Sequence, residues 1–138
     1  MSNPPMTPTV YQKMIIGLAG VTAAAIGLAI TFFPAAFYAS YNISIEMDPS
    51  LLSELRAPGA NLAALGVFMV AGAVRSDWFT TARLFAIIVF FAFVAGRLVS
   101  WGIDGTPNAS ILSALAIEFV IGVLAVLASR PSKIAPAA

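Results

Sequence analysis

The chain has 138 residues, of which 60% are hydrophobic and 9% are charged. Soluble globular domains carry about 25% charged residues, so this chain has too few polar side chains to cover a surface that faces water. Its length fits one domain, and a formal net charge of +1 without a basic cluster gives no support for binding nucleic acid.

The sequence contains neither Cys nor His. These absences exclude disulfides, His-ligated haem, His-based zinc sites and Ser-His-Asp catalysis. Lys13 and Lys133 lie outside the apolar segments, so a buried Schiff-base lysine is not expected either. We therefore predict no cofactor and no metal site, and we assign no catalytic residue.

Four apolar segments are each long enough to cross a membrane, which takes about 20 residues. Trp78 and Trp101 bracket the third segment about 35 Å apart along a helix, and Trp favours the membrane interface. The predicted fold class is all-α, an antiparallel bundle of four transmembrane helices. The predicted spans are 14–33, 49–74, 78–101 and 108–128.

The predicted membrane domain covers residues 10–130, between a Pro-rich disordered segment, 1–9, and a flexible tail, 131–138. The longest connection, 34–48, begins with aromatic residues and includes alternating residues that predict a short extended piece. Asp48 and Pro49 are a typical N-cap and first helical residue, so we expect the second spanning helix to start there.

The first apolar segment has an alternative interpretation as a signal peptide. Its apolar core is longer than the usual 7–15 residues or so. The bulky residues Phe37 and Tyr38 also crowd the candidate cleavage residue, Ala39. These features favour a spanning helix.

Lys and Arg accumulate on the cytoplasmic side of membrane proteins. The side that holds both termini and the second connection carries five such residues, and the opposite side carries only Arg56 and Arg97. We therefore predict that both termini are cytoplasmic. The five residues are Lys13, Arg75, Arg83, Arg130 and Lys133.

Stripes of small residues follow one face of each of the first two spans, and such stripes let membrane helices approach closely. Packing within one chain is the preferred interpretation. The alternative is a homo-oligomer or a larger membrane complex, with membrane lipids as the other expected partner. The stripe residues are Gly17, Gly20, Ala24 and Gly27 in the first span, and Gly59, Ala63 and Gly66 in the second.

Glu118 lies near the centre of the fourth span, where an ionised group costs at least about 2.5–3.5 kcal/mol. Helical side chains lean toward the N-terminus of their own helix. Arg97 therefore leans toward the membrane centre from the outer end of the third span, and Glu118 leans outward on the antiparallel fourth span. We expect the two side chains to meet.

Other polar residues lie at a similar depth below the outer face, so we predict one polar cluster. It either fixes helix order and register as an ion-pair network, or binds a small ligand or passes protons. The predicted members are Glu54, Arg56, Asn61, Arg97, Ser100, Asp104 and Glu118.

Four sequence elements are distinctive in combination. They are Ser53-Glu54-Leu55-Arg56-Ala57 with Gly59, residues 96–100 (Gly-Arg-Leu-Val-Ser), residues 104–107 (Asp-Gly-Thr-Pro), and Glu118. The chain resembles, over residues 14–128, an uncharacterised family of small bacterial four-helix membrane proteins known as a domain of unknown function. The resemblance implies a bacterial inner-membrane location and no known activity. Pro58-Gly59-Ala60 departs from the Gly pair that the family often has there.

Three functions remain open from the sequence. The preferred one is a non-catalytic accessory or scaffold subunit, because catalytic residue types are scarce and the connections are short. The second is a transporter or binding protein for a small ligand or protons, with Arg56 and Arg97 suited to anions. The third is a membrane enzyme on a lipid substrate, with Glu54 or Glu118 as acid or base.

Overall fold

The computed structural model describes residues 7–129, and within them every regular element is helical. The predicted tail and most of the predicted disordered segment lie outside the described residues. Four of the five helices are long and apolar enough to cross a membrane, which confirms the predicted fold class. The helices are α1 (Val10–Phe32), α2 (Pro34–Ala39), α3 (Pro49–Val74), α4 (Phe79–Asp104) and α5 (Ala109–Leu127).

Side-chain caps fix where three of the long helices begin. Thr9 and Gln12 form a capping box at the start of α1, four residues before the predicted span. The Asp48 carboxylate accepts from the backbone N–H groups of Ser50 and Leu51, both at 2.9 Å, and Pro49 is the first residue of α3, as predicted. The start of α5 is capped by Asn108.

The helix α2 was not predicted. It begins at Pro34, directly after the C-cap of α1, because Pro suits the first turn of a new helix. A turn follows it, in which Asn42 adopts a φ of 58°. Residues 43–48 have no regular structure, so the short extended piece predicted between α2 and α3 is not a β-strand.

The closest helix pair is α1 with α3, and small residues make this approach possible. A Cβ atom added to Gly66 would lie 2.7 Å from the Gly20 carbonyl oxygen, and one added to Gly27 would lie 2.5 Å from that of Gly59. The two stripes thus pack against each other within one chain. A homo-oligomer or larger complex through small-residue helix faces stays a prediction.

The helix α4 packs against α3 at one end of the bundle and against α5 along its length. Phe68 stacks on Trp78 with ring centroids 5.4 Å apart, and Phe91 meets Phe119 edge-on at 6.2 Å. We call the end that holds residues 75–78 the proximal end. The distal end holds residues 33–48 and 105–108, and the remaining features of interest lie there.

Candidate functional site at the distal end

The ion pair between Arg97 and Glu118 joins α4 to α5. The Arg97 Nε donates to Oε2 of Glu118 at 2.7 Å, and Nη2 donates to Oε1 at 2.8 Å. The Arg97 side chain is 23% exposed and the Glu118 side chain 10%. A bidentate, charge-assisted contact of this kind is among the strongest polar contacts in proteins.

The meeting of these two side chains confirms the predicted pair. Because α4 and α5 run in opposite directions, side chains that lean toward their own N-termini lean toward each other. Arg97 leans away from the distal end, and Glu118 leans toward it. Each side chain therefore covers part of the distance between the two positions along the bundle axis.

The helix α2 and the turn that follows it lie beside the ion pair and were not expected there. The phenol groups of Tyr38 and Tyr41 are within electrostatic reach of Arg97. Burial raises the pKa of Tyr38, and the positive charge of Arg97 acts in the opposite direction. These two tyrosines therefore belong to the surroundings of the pair.

Asn108 connects the two distal loops. Its Nδ2 donates to the Tyr41 carbonyl oxygen at 2.7 Å, while its Oδ1 accepts from the Ile111 backbone N–H at 3.1 Å. One side chain thus caps α5 and holds the turn after α2 against the connection between α4 and α5. This role of Asn108 was not predicted, because a contact between distant loops leaves no local pattern in the sequence.

We expect Asn108→Ala to lower the free energy of unfolding by about 1–2 kcal/mol, since it removes the helix cap and the link to Tyr41. Asn108→Asp keeps an oxygen for the cap and loses only the donor, so about half of that loss is expected. Unfolding of both variants in mixed detergent–SDS micelles measures the difference. Equal stability of Asn108→Ala and the unmodified chain would rule out the link.

Four of the seven predicted cluster residues form two separate contacts in the structure, Arg97 with Glu118 and Ser100 with Asp104. The Ser100 hydroxyl donates to Asp104 Oδ2 at 2.8 Å on the exposed surface of α4. Arg56 donates from Nη1 to the Thr31 carbonyl oxygen on α1. The predicted cluster is thus divided into at least three groups.

Glu54 and Asn61 are both exposed, and their side chains form no hydrogen bond or ion pair within residues 7–129. The prediction placed Glu54 in the cluster by its depth, and Asn61 because it lies on the same helix face as Glu54. Depth does not fix the helix face, however, and α3 buries the face that contains Gly59 and Ala63. Their seven-residue spacing puts the two exposed side chains together on another face of α3.

The arrangement favours a structural role for the ion pair. Each carboxylate oxygen of Glu118 accepts one hydrogen bond from Arg97, so the two side chains are each other's partners. Among residues 7–129, no three acidic side chains come together as a metal site. The pair links one position on α4 to one position on α5.

Comparison with known protein families identifies a family that matches the chain. The family model described as a domain of unknown function, DUF4345, matches residues 11–129. No curated protein and no solved structure matches the chain.

Proposed function

We propose that this chain, which belongs to the DUF4345 family of unknown function, is a non-catalytic accessory or scaffold subunit of a membrane assembly. The observation that carries the proposal is the closed ion pair between Arg97 and Glu118. A pair whose donors and acceptors satisfy each other suits a part that must keep one shape. A transport or catalytic site needs charged groups that are free to exchange partners.

Two grooves on the bundle support the same choice over a proton or ligand transporter. One is apolar and lies between α1 and α5, lined by residues that include Leu18, Val120 and Leu124. The other lies beside Arg56. Neither has Arg97 or Glu118 in its lining, so a ligand in either groove would not touch the pair.

The proposed location is the inner membrane of a bacterium, with both termini in the cytoplasm. The family resemblance supports the bacterial location, and the excess of Lys and Arg at the proximal side supports the orientation. In this orientation the ion pair and the helix α2 lie near the outer face.

The test combines native mass and proton flux. In mild detergent we expect the natively expressed chain to run in one defined assembly heavier than its own 14.4 kDa. In proteoliposomes with a pH-sensitive dye, we expect the unmodified chain and Glu118→Gln to show the same background proton leak. A solitary 14.4 kDa species would contradict the subunit role, and a leak that Glu118→Gln abolishes would favour the transporter.

A further inference from the structure

An open groove lies at the distal end between the last turn of α1 and the first turns of α3. Its volume is about 590 Å³. Arg56 is the charged residue in its lining, and Thr31 and Ser53 supply hydroxyl groups. The rest of the lining is apolar, from residues such as Leu52 and Ala60.

The charge of Arg56 has no acidic partner among the described residues. The two ion pairs within residues 7–129 join Arg75 to Asp77 and Arg97 to Glu118. The one hydrogen bond of the half-buried Arg56 goes from Nη1 to the Thr31 carbonyl oxygen. A guanidinium has five N–H donors, so most of them remain free to bind an anion.

The position of Arg56 along α3 sets the depth of that free charge. Arg56 follows Pro49 by seven residues, which is about 10 Å of helix. Its side chain leans toward the N-terminus of α3, and Nη1 reaches the Thr31 carbonyl oxygen in the last turn of α1. The guanidinium therefore lies within about 10 Å of the distal end of α3. That level corresponds to the interface where lipid headgroups meet the hydrocarbon.

The residues that follow Arg56 along α3 leave space for a hydrocarbon chain. Ala57 and Ala60 line the groove further along α3, and both are exposed. A ligand that fits the groove therefore has an anionic group at one end and an apolar part at the other. This combination is the chemistry of a phospholipid rather than of a free inorganic ion.

We propose that this groove binds the phosphate group of a membrane phospholipid. The free N–H groups of Arg56 donate to the phosphate oxygens, and the Ser53 hydroxyl, three residues earlier on the same helix face, donates to the same group. One acyl chain lies over Ala57 and Ala60. The proposal does not depend on the subunit role, since a scaffold, a transporter or an enzyme could each hold such a lipid.

The experiment uses native mass spectrometry of the full chain purified in a phosphate-free maltoside detergent. The probes are dioctanoyl-phosphatidylglycerol, dioctanoylglycerol, which lacks the phosphate, and inorganic phosphate. We expect one molecule of the phospholipid to bind and neither of the others. Inorganic phosphate binding as well as the phospholipid, or dioctanoylglycerol binding as well, would overturn the proposal.

Variants then locate the site. Arg56→Gln should weaken phospholipid binding about tenfold or more, because it removes the charge-assisted hydrogen bonds. Arg75→Gln removes an exposed cation at the proximal end and should leave binding unchanged. Ala60→Leu keeps Arg56 and fills the proposed acyl position, so it should also weaken binding. Unchanged binding by Arg56→Gln and Ala60→Leu would place the lipid elsewhere.

Discussion

Arg97→Ala is expected to lower the free energy of unfolding by about 3–5 kcal/mol, because it leaves the Glu118 carboxylate buried without a partner. Glu118→Ala should have an effect of similar size, since it leaves the guanidinium unpaired. Fluorescence of Trp78 and Trp101 during unfolding in mixed detergent–SDS micelles provides the measurement.

A matched control exists in the same chain. The pair between Arg75 and Asp77 has a longer distance of 3.3 Å, and both side chains are more than half exposed. Asp77→Ala should therefore lower the free energy of unfolding by about 1 kcal/mol or less. If Arg97→Ala cost no more than Asp77→Ala, the buried pair would not be a main stabilising contact of the distal end.

Gly66→Ala is expected to destabilise the bundle by about 2–3 kcal/mol, because the added methyl group overpacks a helix contact. Its Cβ would meet the backbone of Ala24 and lie 2.7 Å from the Gly20 carbonyl oxygen. Backbone atoms cannot rotate away as a flexible side chain can, so α1 and α3 must separate. The same unfolding assay measures the loss.

Gly96→Ala makes the same chemical change on α4, where a Cβ would meet nothing within 4 Å. We expect this control to leave the free energy of unfolding unchanged or to raise it by up to about 1 kcal/mol, since Ala favours a helix over Gly. Equal effects of the two substitutions would show that the close approach of α1 and α3 does not limit stability.

The four spanning helices could be predicted because their signal is a long apolar run, which needs no knowledge of packing. The start of α3 could be predicted because Asp48 and Pro49 act locally. The helix α2 could not, since its six residues are too few for a periodic pattern. Pro34 was the only local signal for it.

The site shows the same division between local and long-range information. The pairing of Arg97 with Glu118 follows from side-chain direction and from the antiparallel order of the helices. The exposure of Glu54 and Asn61 could have been predicted from the small-residue stripe of α3, because both lie far around the helix from Gly59. The approach of Tyr38 to Arg97 depends on a loop conformation that leaves no pattern in the sequence.

The central claim is that Arg97 and Glu118 act as a closed structural pair, and the double variant Arg97→Met with Glu118→Leu tests it most directly. Replacing a buried ion pair with apolar residues of similar volume is often neutral or stabilising, whereas removing one partner is costly. We predict that the free energy of unfolding of the double variant lies within about 1 kcal/mol of that of the unmodified chain. A double variant as unstable as the sum of Arg97→Ala and Glu118→Ala would contradict the claim, because each charge would then be needed for contacts other than the pair.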